Sequence, residues 1–343
     1  MIRIMPGRLR LLIHEYVTGG GLAGQELPPS WAQEGAAMRR ALVSDFTRLP
    51  GLDVQFTLDA RFPQRPRSHA IGPNEEWERL AELSLQVDAV LLIAPETAGV
   101  LESRERLIRR LGVPSLGSEP DAIHLAADKL LAAQRLAAWN VPVVPTREFQ
   151  PQATPPSHPA VVKPRDGAGS IDTWLVPAGK PWPNLNTAAI VQPYQCGLPM
   201  SVAALVPPSG PICWIGAATQ TVTIIGQRFH YCGGLVPGRF PQSLRRVLTP
   251  ALRAWPGLAG WVGIDYIWDP TRRQAAVLEI NPRLTTSYLG HRARWGEWIA
   301  ASWLHQAGLG PKPGRRSLQT STPVPFAADG RINRKRHADD PSE

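Results

Sequence analysis

Short apolar runs and helical stretches alternate along the first third of the chain. Leu9 to Ile13, Leu52 to Leu58 and Ala89 to Ala94 predict strands, and the stretches between and after them, Trp31 to Arg48, Glu75 to Gln86 and Gly99 to Arg110, read as helices. This alternation over residues 1–116 predicts a doubly wound parallel layer. Ligands of such layers sit outside the carboxyl ends of the strands, here Glu15 to Gly21 and Pro95-Glu96-Thr97. Glu15 and Glu96 are candidates to read an amine or a carboxylate there, against the plain alternative of solvated loop acids.

The pattern changes after residue 116. Ile123, Ala126, Leu130 and Leu131 recur at helical spacing, with a second helical stretch running through Leu136 and Lys129 within this region. Ala160 to Ser170 (AVVKPRDGAGS) reads as a strand ending at Lys163 and then a Gly-rich loop around Gly167 and Gly169. Such a loop lets backbone N–H groups approach phosphate oxygens, and the lysine adds a point charge. The Walker order GxxxxGK[ST] is absent. Ala189 to Ser201 reads as a buried strand broken at Pro193 and Gly197, and the Pro-rich segments 151–159 and 177–183 read as loops.

The densest chemistry lies in two further apolar runs. Trp261 to Trp268 (WVGIDYIW) carries one acid, Asp265; after the turn-like Asp269 to Arg273, Ala275 to Ser287 (AAVLEINPRLTTS) carries Glu279 and Asn281 on one face of an extended chain. Paired as a hairpin, the runs permit a register with Asp265 opposite Glu279. Two carboxylates and an amide carbonyl then converge as hard oxygen ligands for Mg²⁺, or Mn²⁺, bridging to nucleotide phosphates. The bland alternative is a hairpin whose acids are merely solvated.

Composition narrows the class. The 343 residues suffice for two or three packed units, and 43% hydrophobic content predicts a globular protein. No apolar run approaches the roughly 18 residues of a membrane span, and the N-terminus does not make a signal peptide. Three cysteines, Cys196, Cys213 and Cys232, without CxxC spacing argue against a disulfide framework or zinc site, so a reduced, cytoplasmic protein is expected. Part of the net charge of +9 lies from Lys312 onward, where seven Lys and Arg face four Asp and Glu; 311–343 reads as a basic disordered tail. Without a zinc finger or an aromatic RNA-binding motif, the basic surface points to small anionic substrates and not to nucleic acid.

Taken in order, Asp128-Lys129, VKPRDGAGS at Val162 to Ser170, the strand ending at Gln192, GIDYI and EINPR resemble the ATP-grasp superfamily, carboxylate–amine ligases that clamp ATP between two α+β subdomains. The resemblance implies an N-terminal pre-grasp α/β domain (1–116), a first ATP subdomain (117–195) and a metal-bearing second subdomain (196–310). It implies that Lys129 and Lys163 contact the ATP phosphates, that Asp166 to Ser170, including Gly167, Ala168, Gly169 and Ser170, closes over them, and that Gln192, Pro193, Tyr194 and Gln195 read adenine. Asp265, Glu279 and Asn281 would hold magnesium; homodimers are frequent in the superfamily, but the sequence itself does not fix the oligomeric state. HEYVTGGG at the front with EINPRLTTSYLG at the back resembles the tyramine–glutamate ligase family, associated with methanofuran-type one-carbon coenzymes. That implies amide formation between glutamate and an amine, with Glu15, Gly20, Gly21, Thr285 and Tyr288 flanking the acceptor pocket and Tyr288 stacking on an aromatic amine.

Two departures matter. Leu198 and Pro199 follow Gly197, where many members carry a glutamate for the ATP ribose, and Gly263 stands two residues before Asp265, where D-alanine ligases have an arginine. Arg283, two residues beyond Asn281, is the candidate catalytic group, stabilising a transferred phosphoryl by a bidentate contact, against the alternative of a structural ion pair. Three other functions stay open: a small-molecule kinase on the same fold, an ATP-binding regulatory protein, and an NAD-dependent enzyme built on Gly19-x-Gly21-x-x-Gly24 with Asp45 as its acid.

Overall fold

The computed structural model describes residues 8–167 and 169–332. Its N-terminal layer is a four-stranded parallel sheet in the order β3-β2-β1-β4, from β1 (Leu9–Glu15), β2 (Leu52–Asp59), β3 (Ser68–Ile71) and β4 (Ala89–Ile93). Side-chain alternation along β1 explains the double winding. Leu11 and Ile13 pack with Met38, Leu42 and Phe46 of α1 (Pro29–Thr47), whereas Leu12 packs on the other face with α2 (Glu76–Ser84) and α3 (Val100–Arg110). The short β3 carries no long apolar run, and sequence pattern alone does not predict it.

The remaining strands make one ten-stranded sheet. Its small end holds β5 (Arg147–Glu148), β6 (Ala160–Pro164), β7 (Trp174–Val176) and β8 (Ala189–Pro193), around a core of Phe149, Ala160, Val162, Val176, Ala189 and Val191. Its large end holds β9 (Leu198–Val206), β10 (Cys213–Ile225), β11 (Arg228–Val236), β12 (Gly260–Asp269) and β13 (Gln274–Asn281). The halves join where Arg228 of β11 pairs with Trp174 of β7, its guanidinium 4.2 Å from the indole ring centroid. Helices α4 (Pro120–Ala127) and α5 (Lys129–Ala138), expected with the first ATP subdomain, instead share a core with β9, β12, β13 and α6 (Gln242–Arg253).

Helices α7 (Ser287–Trp295) and α8 (Trp298–Gln306) tie this sheet to the N-terminal layer, since Tyr288, Ile299 and Trp303 lie in the core that contains Leu11 and Phe46. A buried polar junction fixes the contact. The Tyr288 hydroxyl donates to Asp45 Oδ2 at 2.6 Å, and Arg292 donates from Nε at 2.8 Å and from Nη2 at 2.5 Å to the same carboxylate. The segment from 311 onward departs from the disorder expected of it. Val324–Ala327 forms β14 against β11, with Val324 and Phe326 buried, and the Arg316 guanidinium stacks 3.5 Å from the Trp295 ring centroid. Its apolar residues and one stacking arginine outweigh its basic composition; residues 333–343 lie outside the described residues.

Truncating Asp45 leaves Arg292 and Tyr288 without their shared acceptor. Asp45→Ala is expected to lower the free energy of unfolding by about 3 kcal/mol, measured by urea denaturation, with Asp45→Asn intermediate.

Candidate active site

The site begins with a break in a helix. Asp128 ends α4 in an extended conformation and caps α5, its Oδ1 accepting from the Leu130 and Leu131 N–H groups, each at 3.0 Å. Arg165, just beyond β6, locks the break by donating from Nε to Asp128 Oδ2 at 2.8 Å, and its carbonyl accepts from the Lys129 N–H at 3.1 Å. The first residue of α5 thereby turns inward. Lys129 is buried, donates to the Gly167 carbonyl at 2.5 Å, and stands 3.9 Å from Glu279 Oε2. Lys163, at the end of β6, reaches the same oxygen at 3.5 Å. Two ammonium groups from separate elements thus converge on one carboxylate.

The hairpin β12–β13 has the expected register, with Asp265 opposite Glu279 and Gly263 opposite Asn281, and a bulge after Asp265. Asn281 Nδ2 donates to Asp265 Oδ2 at 3.2 Å, and Gln220 Nε2, from β10, donates to Asp265 Oδ1 at 3.0 Å. Gln220 carries no sequence signal, because it meets Asp265 only once β9 lies between their strands. Burial and the neighbouring Glu279 charge push the Asp265 carboxyl up from its ordinary range. Burial also acts upward on Glu279, but Lys163 and Lys129 outweigh it and hold that carboxyl low. Burial lowers the Lys163 ammonium, partly offset by Glu279. The donor set of two carboxylates and an amide fits a hard divalent cation, which would relieve the penalty on an ionised Asp265.

The Gly-rich loop follows Lys163. Gly169 and Ser170 both take positive φ, at 70° and 62°, while Ala168 lies outside the described residues. The loop also reaches the N-terminal layer, where Asp166 Oδ2 accepts from the Ala98 N–H at 2.7 Å. At the hinge, Gln192 is buried and donates to Thr146 Oγ1 at 2.9 Å. Pro193 has no N–H, and the Tyr194 N–H donates to the Pro159 carbonyl at 2.9 Å.

Arg283 is the link to the N-terminal layer. It pairs with Glu96, a buried acid just beyond β4, through Nε, with Nη2 at 3.4 Å from Glu96 Oε1, and Nη1 donates to the Leu284 carbonyl at 3.2 Å. Three of its five N–H groups are engaged, and two remain.

Several expected substrate residues serve the scaffold instead. Glu15 is buried and caps its own turn, accepting from the Val17 N–H at 2.9 Å and the Thr18 N–H at 2.7 Å. Tyr288 is wholly buried against Trp261 and bonded to Asp45, so it cannot stack on a ligand. Thr285 Oγ1 accepts from Trp261 Nε1 at 3.2 Å and contacts Ser287 at 3.0 Å. Gly20 takes φ +110°, and a Cβ there would strike Ile71, while one at Gly21 would strike the Tyr16 ring; close packing accounts for both glycines. The dinucleotide reading falls with them, since Asp45 lies in the last turn of α1, not at the end of a second strand, and is spent on Tyr288 and Arg292.

Comparison with known proteins agrees with this geometry. Residues 126–287 match the model of an ATP-grasp domain and residues 52–123 that of a pre-ATP-grasp domain. The chain is 27% identical over 289 residues to the tyramine–L-glutamate ligase of Methanocaldococcus fervens, covering 82% of this chain and 88% of that protein. Among solved structures it resembles an ATP-grasp superfamily protein from Archaeoglobus fulgidus, with TM-score 0.68, 24% identity and 92% of each chain covered. It also resembles the N5-carboxyaminoimidazole synthetase of Staphylococcus aureus complexed with ADP, with TM-score 0.67, 15% identity, and 95% of this chain and 83% of that one covered.

Lys163→Met removes one of the two ammonium groups while keeping a long apolar stem. Its Kd for ATP in the presence of magnesium, read by calorimetry, is expected to rise by about tenfold or more; an unaltered Kd would remove Lys163 from the phosphate site.

Proposed function

Since the chain belongs to the ATP-grasp proteins, with a pre-ATP-grasp domain in front, we propose that it joins a carboxylate to an amine through an acyl phosphate. Its class is that of an ATP-dependent ligase. The observation that carries the reading is the meeting of Lys129 and Lys163 on Glu279 beside Asp265 and Asn281. Such a cluster supports the reading, because cationic and metal-binding groups together would offset the repulsion between a triphosphate and a second anion.

A carboxylate is a poor electrophile. In our reading its oxygen attacks the γ-phosphorus of ATP, the bond to the β-phosphate oxygen breaks, and ADP leaves. The amine nitrogen then attacks the acyl carbon, the phosphate departs with its bridging oxygen, and the nitrogen loses a proton to leave an amide. Lys129 and Lys163 hold the phosphates, and Arg283 offers its two remaining N–H groups to the transferring phosphoryl. Asp265, Glu279 and Asn281 would hold magnesium, which when bound neutralises phosphate charge. The loop Asp166 to Ser170 would exclude water from the acyl phosphate, and the bond from the Ala98 N–H to Asp166 would tether it to the N-terminal layer. Gln195 reads the adenine edge.

For substrates, the likeness to the tyramine–L-glutamate ligase of Methanocaldococcus fervens supports glutamate as the carboxylate and a tyramine-like amine as the acceptor. Supplying ATP, magnesium, L-glutamate and a panel of amines is expected to yield ADP, inorganic phosphate and an amide identified by mass spectrometry. A phosphorylated product without phosphate release would instead mark a kinase. Glu279→Gln is expected to cut turnover by about a thousandfold or more while the circular dichroism spectrum stays unchanged.

A further inference from the structure

Beyond Arg283, the wall of the cleft carries a charged group that the phosphate chemistry leaves unused. Glu34 lies on α1, in the N-terminal layer, and its Oε1 accepts from the Thr286 hydroxyl, three residues after Arg283. Among the described residues no hydrogen bond reaches its Oε2. The nearby Arg283 is already matched by Glu96, and the nearby Glu15 has its oxygens spent on its own turn. Glu34 is therefore the anion of this wall without an ion-pair partner among the described residues. Its burial raises the carboxyl above its usual range, only partly offset by Thr286 and Arg283, so a cation beside it would be favoured.

Tyr231, on β11, makes no side-chain hydrogen bond among the described residues, and its phenol feels the charges of both Asp265 and Glu34. Burial first, and then those two carboxylates, drive it up and keep it a neutral O–H.

We propose that Glu34 Oε2 receives the ammonium group of the acceptor amine, so that this wall selects primary amines that carry positive charge. The inference rests on the ligase reading and names its second substrate site. A carboxylate at this place would hold the nitrogen on the Arg283 side of the cleft, where the acyl group would form, and would take the proton that the ammonium must give up before its nitrogen can attack. Glu34 escapes sequence reasoning because it is one polar residue on an otherwise ordinary helix, about 250 residues from the threonine it meets.

The test uses the full-length enzyme with ATP, magnesium and L-glutamate, and two nucleophiles: tyramine, charged near neutral pH, and hydroxylamine, largely uncharged there. Glu34→Gln is expected to raise the KM for tyramine by about tenfold or more and to affect hydroxamate formation far less, with the KM for ATP unmoved. Equal losses on both nucleophiles, or an unaltered tyramine KM, would overturn the assignment while leaving the ligase reading in place. Wild-type enzyme that forms neither amide nor hydroxamate would overturn both. Thermal melting checks the fold. Should Glu34→Gln not fold, Glu34→Asp, which keeps the charge one methylene further back, is expected to raise the tyramine KM more than the hydroxylamine KM, and equal effects would again refute the assignment.

Discussion

Two carboxylates on neighbouring strands of one hairpin repel, and most of this molecule is arranged around that repulsion. The register that sets Asp265 opposite Glu279 is forced by the apolar faces of β12 and β13, because slipping by one residue would turn Val262, Ile264 and Tyr266 out of the core. Once fixed, the pair needs positive charge from elsewhere. Lys163 arrives from the small end of the sheet and Lys129 from the helix break at Asp128, and both settle on the same oxygen of Glu279. Glu279 is thereby kept ionised, whereas Asp265 has only the amides of Asn281 and Gln220 and is disfavoured as an anion. The asymmetry leaves one side of the hairpin satisfied and the other suited to a cation.

The N-terminal layer completes the cleft by contacts of the same kind. Glu96 holds Arg283, the Ala98 N–H holds Asp166 of the phosphate loop, and Glu34 holds Thr286. Each joins a strand end or a helix of the parallel layer to a segment next to the hairpin. The Asp45 junction with Tyr288 and Arg292 lies beneath them in the core and sets the distance between the two bodies. On the proposed mechanism the loop would shield a reactive intermediate, and the bond from the Ala98 N–H to Asp166 would give it a stop against the other domain.

Much of this was legible in the sequence where chemistry and periodicity coincide. One acid in WVGIDYIW and alternate polar residues in LEINPR fix the faces of the hairpin, and the doubly wound layer follows from alternating runs and helices. Burial was not legible from residue type. Glu15 and Tyr288 look like ligand-reading groups on paper, yet their own turn and Asp45 consume them. Lys129 looks solvated until Asp128 interrupts the helix and turns it inward. Gln220 and Glu34 act through partners 45 and 252 positions away, which only the folded chain brings near. The tail misled by composition, since a few apolar residues and Arg316 on Trp295 suffice to dock it.

The central claim is that the charge concentrated at this hairpin serves to move a phosphoryl group onto a carboxylate. L-Glutamate labelled with ¹⁸O in its carboxyl groups, turned over with ATP and a primary amine, tests it directly. The account predicts that one labelled oxygen appears in the released inorganic phosphate for each amide formed. Phosphate released without label while amide accumulates would contradict it.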